Sequence, residues 1–308
     1  HALDQVAFGA WDAVSEDGLQ VARRSRVLEP AELEAAADAL RAVKPKKAVF
    51  DAARVPRIHA DNVKAEVGHR AKVEALRQDI RDFKRELGAD RAVVVFMASV
   101  ETLQEAPACA ASPAAFEAGL DADDPGISPT MLYAYAALRE GAPFVNGTPN
   151  LAVELPALQA LARDLGVPIA GKDFKSGQTM MKTVLGPMLK ARMLGLEGWF
   201  STNILGNRDG EVLDEPKAFK SKEVTKAGVL DTILQPELYP DLYGDFTHKV
   251  SIHYYPPRGD DKEGWDNIDI FGWLNYPMQI KVNFLCKDSI LAAPLALDLA
   301  LFMDLASR

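Results

Sequence analysis

Three short stretches combine residue types that can hold an anion or move a proton. In Gly171-Lys-Asp-Phe-Lys-Ser-Gly-Gln-Thr179 an apolar strand ends and a helix begins, and strand ends are where α/β proteins bind ligands. Ser176, Gly177, Gln178 and Thr179 would set backbone N–H groups, two hydroxyls and an amide at the positive end of a helix, an arrangement that holds a phosphate. A plain helix start with Ser176 as N-cap accounts for the same residues. In Ser201-Thr-Asn-Ile-Leu-Gly-Asn-Arg-Asp-Gly210, Asn203, Asn207 and Asp209 have the chemistry to read a sugar or a cofactor amide, and equally that of an ordinary turn. In Phe219-Lys-Ser-Lys-Glu-Val-Thr-Lys226, Lys222 and Lys226 share one face of a helix expected to begin near Ser221. Like charges at that spacing repel by a few tenths of a kcal/mol, so the pair calls for an anion or a solvated surface. Two further segments are Pro256-Pro-Arg-Gly-Asp-Asp-Lys262, read as a turn ending in a lysine, and Cys286-Lys-Asp-Ser289, where Asp288 opens the last helix.

The charge distribution favours an anionic ligand at these stretches. Lys plus Arg (35) against Asp plus Glu (44) gives a net charge of −9, which offers no global basic footprint for nucleic acid. Between Lys172 and Lys226, however, ten basic and seven acidic residues give +3, leaving −12 elsewhere. Cys109 and Cys286 are too few for a disulfide framework or a thiolate metal site, and suit a reducing cytoplasm. The histidines show no metal-binding spacing, so no metal is expected. Apolar stretches such as Ile290 to Leu301, which Asp298 interrupts, stop short of the ~18 uninterrupted residues of a membrane span. No membrane segment and no secretory signal are therefore expected. The chain starts without Met and stops directly after an apolar helix, which reads as a piece cut at both ends.

The elements that must position these residues alternate. Over 308 residues, 48% are hydrophobic and 26% charged, as in folded globular proteins. Val73, Leu76, Ile80, Phe83 and Leu87 form a helical stripe that feeds the apolar run Ala92 to Ala98. Helices at Pro129 to Leu138 and Pro156 to Leu165 likewise precede strands at Pro143 to Val145 and Val167 to Ala170, and an alanine-rich helix is expected over Ala31 to Ala42. Short apolar strands between helices predict a parallel sheet covered on both faces. Lys249 to Tyr255, Ile268 to Leu274 and Gln279 to Leu285 read as consecutive antiparallel strands before a helix over Asp288 to Leu305. The expectation is an α/β Rossmann-like domain (1–178 and 288–308) carrying an inserted α+β domain (179–287).

Taken in order, Phe8-Gly-Ala-Trp-Asp12, Asn146-Gly-Thr-Pro149, Lys172-Asp-Phe-Lys-Ser-Gly-Gln-Thr179, Asn203-Ile-Leu-Gly-Asn-Arg-Asp209, Phe219-Lys-Ser-Lys-Glu223 with Lys226, Gly259-Asp-Asp-Lys262 and Asp288-Ser289 resemble the inositol-3-phosphate (myo-inositol-1-phosphate) synthase family. The resemblance spans essentially the whole chain. It implies an NAD-dependent isomerase that turns D-glucose 6-phosphate into 1D-myo-inositol 3-phosphate by oxidation, enolisation, intramolecular aldol closure and reduction, in a homotetramer whose inserted domain is catalytic and tetramerising. The alternatives are an NAD-dependent sugar-phosphate dehydrogenase and a catalytically inactive NAD-binding fragment.

Carried over by position, the resemblance implies that Ser176, Gly177, Gln178 and Thr179 cradle the phosphate with Lys226. Lys222 serves hydride and proton transfer at the C5 oxygen, and Lys262 is a second ammonium there. Asn203, Asn207 and Asp209 meet substrate hydroxyls and the nicotinamide, and Asp173 joins the catalytic set. Asp12, Ala98, Ser99, Gly147, Thr148, Asp173, Ser176, Asn207, Arg208, Asp209, Lys222, Gly259, Asp260, Asp288 and Ser289 line the NAD site. Met180, Ser99 and Arg208 stand where the family commonly has lysine, asparagine and asparagine. The family's glycine-rich dinucleotide turn would precede His1, and a further lysine would follow Arg308.

Overall fold

The computed structural model describes residues 3–213 and 228–308. The chain forms two compact units, His1–Asp173 with Pro294–Arg308, and Phe174–Ala293. The divisions fall at 173/174 and 293/294, where the sequence reading had 178/179 and 287/288. The turn through Gln178 belongs with the second unit because its side chain bonds the strands there.

The first unit opens with β1 (Trp11–Asp12) paired in parallel to β2 (Lys46–Lys47). Between them lie α1 (Gly18–Ser25), closed by an Asp17/Gln20 capping box, and α2 (Pro30–Ala35) and α3 (Ala37–Ala42). The alanine-rich segment is thus two short helices, because Ala36 leaves helical geometry at φ −98°, ψ 0°. Next come α4 (His69–Leu87), β3 (Val94–Phe96), α5 (Pro113–Asp121), α6 (Pro129–Arg139), β4 (Phe144–Asn146), α7 (Pro156–Leu165) and β5 (Ile169–Gly171). The strands β3, β4 and β5 are neighbours in that order, all parallel. Proline at the first helical position starts α5, α6 and α7, and Gly88 and Gly166 in the left-handed region end α4 and α7. The α4 stripe buries Val73, Leu76 and Ile80 in the core that contains Phe96, Phe144 and α6, which is buried from Thr130 to Leu138. Each such large side chain contributes about 1.5–3 kcal/mol by leaving water.

The second unit holds α8 (Gly177–Ala191), β6 (Gly195–Leu205), α9 (Arg208–Leu213), β7 (Thr247–Tyr254), β8 (Asp261–Phe271) and β9 (Pro277–Lys287). The expected all-antiparallel sheet is mixed. Its order is β7-β6-β8-β9, with β6 parallel to β7 and antiparallel to β8. Gly195–Leu205, whose part from Ser201 onward has the residue types of an ordinary turn, supplies the strand missing from that reading. Trp273–Asn275 is the turn of the β8–β9 hairpin rather than strand, with Leu274 and Asn275 at positive φ, and Lys262 lies within β8 rather than in the turn before it. The helix α10 (Asp288–Ala306) runs through Asp298 and Pro294, and by length and composition it suffices to cross a membrane, with mean hydropathy 1.8. Only the expected length is corrected, because helix length is set by backbone bonding, which one aspartate does not stop; a single helix of this kind does not by itself mark a membrane span. Asp304 near its end pairs with Arg91 and Arg308, and the bond from Arg91 is the main reason its carboxyl is held below the usual range.

Gly171 ends β5 with φ +103°, and a Cβ there would come within 2.2 Å of the Asn146 carbonyl oxygen. Gly171→Ala is therefore expected to destabilise the chain by about 2 kcal/mol or more, read as a lowered urea midpoint at unchanged slope.

Candidate active site

In the first unit the expected cofactor residues gather at the carboxyl ends of the three parallel strands. Ala98 and Ser99 follow β3, Gly147 and Thr148 follow β4, and Asp173 follows β5, with the Asp173 N–H donating to the Thr148 carbonyl at 2.8 Å. Asp173 is buried with φ +56°, a left-handed conformation that aspartate tolerates better than most residues. A buried amide network fixes these loops. Asn146 Oδ1 accepts from the Thr148 N–H (3.0 Å) and hydroxyl (2.8 Å), and Asn146 Nδ2 donates to the Asn150 carbonyl at 2.7 Å. Asn150 Nδ2 donates to the Ser99 carbonyl (3.2 Å) and to Thr130 Oγ1 (3.0 Å), and Asn150 Oδ1 accepts from the Glu101 N–H (2.9 Å). Glu101 in turn takes the Thr130 N–H and hydroxyl at the start of α6, and burial pushes its carboxyl above the usual range. Asn146, Asn150, Thr130 and Glu101 were not expected as site residues. Asn146 opens the Asn146-Gly-Thr-Pro149 motif, whereas the only sequence signal of the other three is polarity at the ends of apolar segments. Asp12 stands apart from β3–β5, at the end of β1, with its carboxylate accepting from the Val14 N–H.

In the second unit the residues converge on the N-terminus of α8. Ser176 occupies the N-cap position without a side-chain capping bond, and Gly177 has φ +56°. A Cβ on Gly177 would meet Asp288 Oδ1 at 3.0 Å and Lys262 Nζ at 3.4 Å, so the ammonium lies directly against the helix start. Lys262 is held there by a 2.9 Å ion pair with Asp288. Beside it, Gly206 N–H donates to the Gly259 carbonyl, bringing the two polar turns together. Asn207 caps α9 through the Gly210 N–H and donates to Asp260 Oδ1 at 2.9 Å, which also accepts from the Ser289 hydroxyl at 3.2 Å. Arg208 and Asp209 form the half-buried first turn of α9. Lys222 and Lys226 lie outside the described residues.

Among the buried acceptors in this unit without a hydrogen-bond partner in the described residues are Asn203 Oδ1 and Asp260 Oδ2. An unmet buried acceptor costs about 1–3 kcal/mol, and the hydroxyl and amide donors of a sugar or a nicotinamide dinucleotide are of the kind that would meet it. The residues thus fit NAD. Among the described residues no cluster of three or more His, Cys, Asp or Glu side chains is arranged to hold a metal ion.

Beneath the α8 turn lies a lysine that the motifs did not single out. Lys182 is fully buried, with Nζ 2.7 Å from His248 Nε2. Burial drives its pKa down to about 8, and the buried Asp266 carboxylate opposes the shift. Its signal was available: Gln178, Lys182, Leu185 and Leu189 follow one another at helical spacing, so the lysine sits in the core-facing stripe.

Known proteins resemble this geometry and sequence throughout. An NAD-binding family model described as myo-inositol-1-phosphate synthase matches residues 1–308. Inositol-3-phosphate synthase 1 of Bacteroides thetaiotaomicron is 56% identical over 99% of this chain and 72% of its own length. The enzyme of the same name from Oryza sativa subsp. japonica is 33% identical over 99% of this chain and 60% of its own length. The crystal structure of inositol-3-phosphate synthase from Caenorhabditis elegans superimposes with a TM-score of 0.87 at 29% identity, over 94% of this chain and 57% of that one. The chain thus spans only part of the length of each of these relatives.

A lysine with a depressed folded pKa favours the unfolded state wherever the unfolded chain binds the extra proton. Stability should therefore rise as pH climbs from about 8 to the ordinary lysine value of 10.5. Lys182→Met should flatten this slope relative to the parent, measured by urea unfolding across that pH range.

Proposed function

The chain belongs to the myo-inositol-1-phosphate synthase family, and from that premise we propose that it converts D-glucose 6-phosphate into 1D-myo-inositol 3-phosphate. The observation that carries this reading is the Lys262 ammonium lying against the N-terminus of α8, in the unit that also holds the unmet oxygens of Asn203 and Asp260. A cation at a helix N-terminus suits an anion, and the unmet acceptors suit hydroxyls and amides, as a sugar phosphate and a nicotinamide would require.

NAD held by the residues named below would supply a hydride acceptor for C5 and a hydride donor after ring closure, so the reaction would have no net redox change. The chain's residues do the rest. Ser176 to Thr179 offer backbone N–H groups and hydroxyls to the phosphate, with the positive end of α8 behind them and Lys226 as counter-charge. Lys222 takes the proton from the C5 hydroxyl, and Lys262, oriented by Asp288, faces the developing oxyanion. Preorganised donors of this kind contribute roughly 10²–10³ in rate each, because they need no reorganisation as the charge forms. Asn203 Oδ1 accepts from a substrate hydroxyl. Asn207, Arg208, Asp209, Gly259, Asp260, Asp288 and Ser289 line the nicotinamide side, while Asp12, Ala98, Ser99, Gly147, Thr148 and Asp173 line the rest of the dinucleotide. In domain terms, the first unit is the NAD-binding domain and the second the catalytic and tetramerisation domain of a cytoplasmic homotetramer. The family resemblance is the ground for the tetramer. Both cysteines are free, in keeping with a reducing compartment.

With NAD and glucose 6-phosphate the chain should form an inositol monophosphate without net cofactor reduction. Steady accumulation of reduced cofactor would mark a dehydrogenase instead, and NAD binding without turnover an inactive chain. Lys222→Ala should abolish measurable turnover at an unchanged melting temperature. Loss of a hydrogen bond to a charged group corresponds to about 10- to 100-fold, so Ser176→Ala should raise KM for the sugar phosphate by that order and leave NAD affinity unaltered. Equal losses for both ligands would misplace the phosphate site.

A further inference from the structure

The side chain of Gln178 faces the sheet. It is 2% exposed. Its Nε2 donates to the carbonyls of Thr202 (3.0 Å) and Trp265 (3.2 Å) and approaches Asp266 Oδ2 at 3.4 Å, while its Oε1 accepts from Asn203 Nδ2. The amide therefore spans the adjacent strands β6 and β8. It can do so only because position 264 carries no side chain. A Cβ on Gly264 would come within 2.7 Å of Gln178 Cγ and 2.9 Å of Nε2. Gly264 lies in a regular part of β8 with no positive φ, so backbone conformation does not demand glycine there. Asp266, two residues on and on the same buried face, anchors the arrangement, its Oδ1 accepting from Trp199 Nε1 (2.8 Å) and Ser201 Oγ (2.6 Å).

We propose that Gly264, Asp266 and the side chain of Gln178 form a positioning device that staples the first turn of α8 to the sheet, so that Gln178 serves the phosphate through its backbone N–H alone. The phosphate part rests on the assignment of Ser176 to Thr179 under Proposed function. The physical logic is preorganisation: N–H groups that already point at the anion lose no further freedom on binding. The side-chain amide, with both ends engaged by protein, has no role left as a ligand contact.

A double-mutant cycle on the 308-residue chain tests it, with hydrogen–deuterium exchange of the unliganded protein as the first readout. Gly264→Ala and Gln178→Ala should each speed exchange at least 10-fold at the amides of residues 181–183, which close the first turn of α8. The double variant should be no faster than Gln178→Ala. In the Gln178→Ala background the alanine at 264 should raise the melting temperature, whereas in the parent it lowers it, because the methyl then fills vacated space. Glucose 6-phosphate affinity, by calorimetry, should fall about 10-fold in either single variant without a further fall in the double, with NAD affinity within twofold throughout. Unchanged first-turn exchange in the single variants, additive effects in the double, or faster exchange with unaltered sugar-phosphate affinity would each overturn the proposal. If Gly264→Ala does not fold, Gln178→Ala alone decides through the same exchange and affinity readouts. A parent that shows the exchange pattern but does not bind glucose 6-phosphate would overturn the phosphate role and the functional reading, while leaving the staple itself in place.

Discussion

The second unit is organised around a buried carboxyl group. Asp266 is 2% exposed, and a carboxylate in that position is tolerable only if donors and opposite charge surround it. Trp199 and Ser201 from β6 and Gln178 from α8 supply the donors, and Lys182 supplies the charge. Because these partners come from α8 and β6 while Asp266 itself lies on β8, the requirement to satisfy one carboxylate fixes where the start of α8 meets the sheet. The Lys262–Asp288 pair and the Asn207–Asp260–Ser289 cluster are arranged around the polar turns at the same end of the strands.

The first unit solves the same problem with amides. Three parallel strands end in loops that would each move independently. Asn146, Asn150 and Thr130 tie the loops after β3 and β4 through side-chain bonds, Glu101 ties in the start of α6, and the Asp173 N–H on the Thr148 carbonyl ties in the loop after β5. Buried amides suit this task because each offers donors and acceptors at once. The cost is that the network must be complete, since any member left unmet is penalised without water to replace it.

Much of this was legible in the sequence where periodicity or punctuation carries the signal. The α4 stripe, the proline starts of α6 and α7 and the short apolar strands β3 to β5 follow from local physics, and so does their parallel pairing. The mixed sheet was not legible, because β6 has an apolar first half and a polar second half, and the polar half reads as a turn unless its partners are known. Ser201 and Asn203 are buried in that half because β7 and β8 flank it. Lys182 and Asp266 occupy core-facing positions of a helix and a strand, so the periodicity that locates apolar side chains also located them, but a reading that weighs only apolar residues passes over them. The local motifs around Lys262 and Asp288 identified the right residues. Their ion pair, 26 positions apart, depends on the β8–β9 hairpin bringing the two segments together.

The placement of β6 at the centre of its sheet also bears on how the second unit assembles. β8 and β9 form a hairpin joined by a short turn, the one pairing in this sheet that needs little loop closure. β6 must find β7 in parallel across the crossover 206–246, and β8 in antiparallel register across a longer one. Parallel pairing at such separation is entropically slow. The topology therefore favours early closure of the hairpin and late capture of β6. Since Gln178 bonds both β6 and β8, the start of α8 can be anchored only once those two strands have paired.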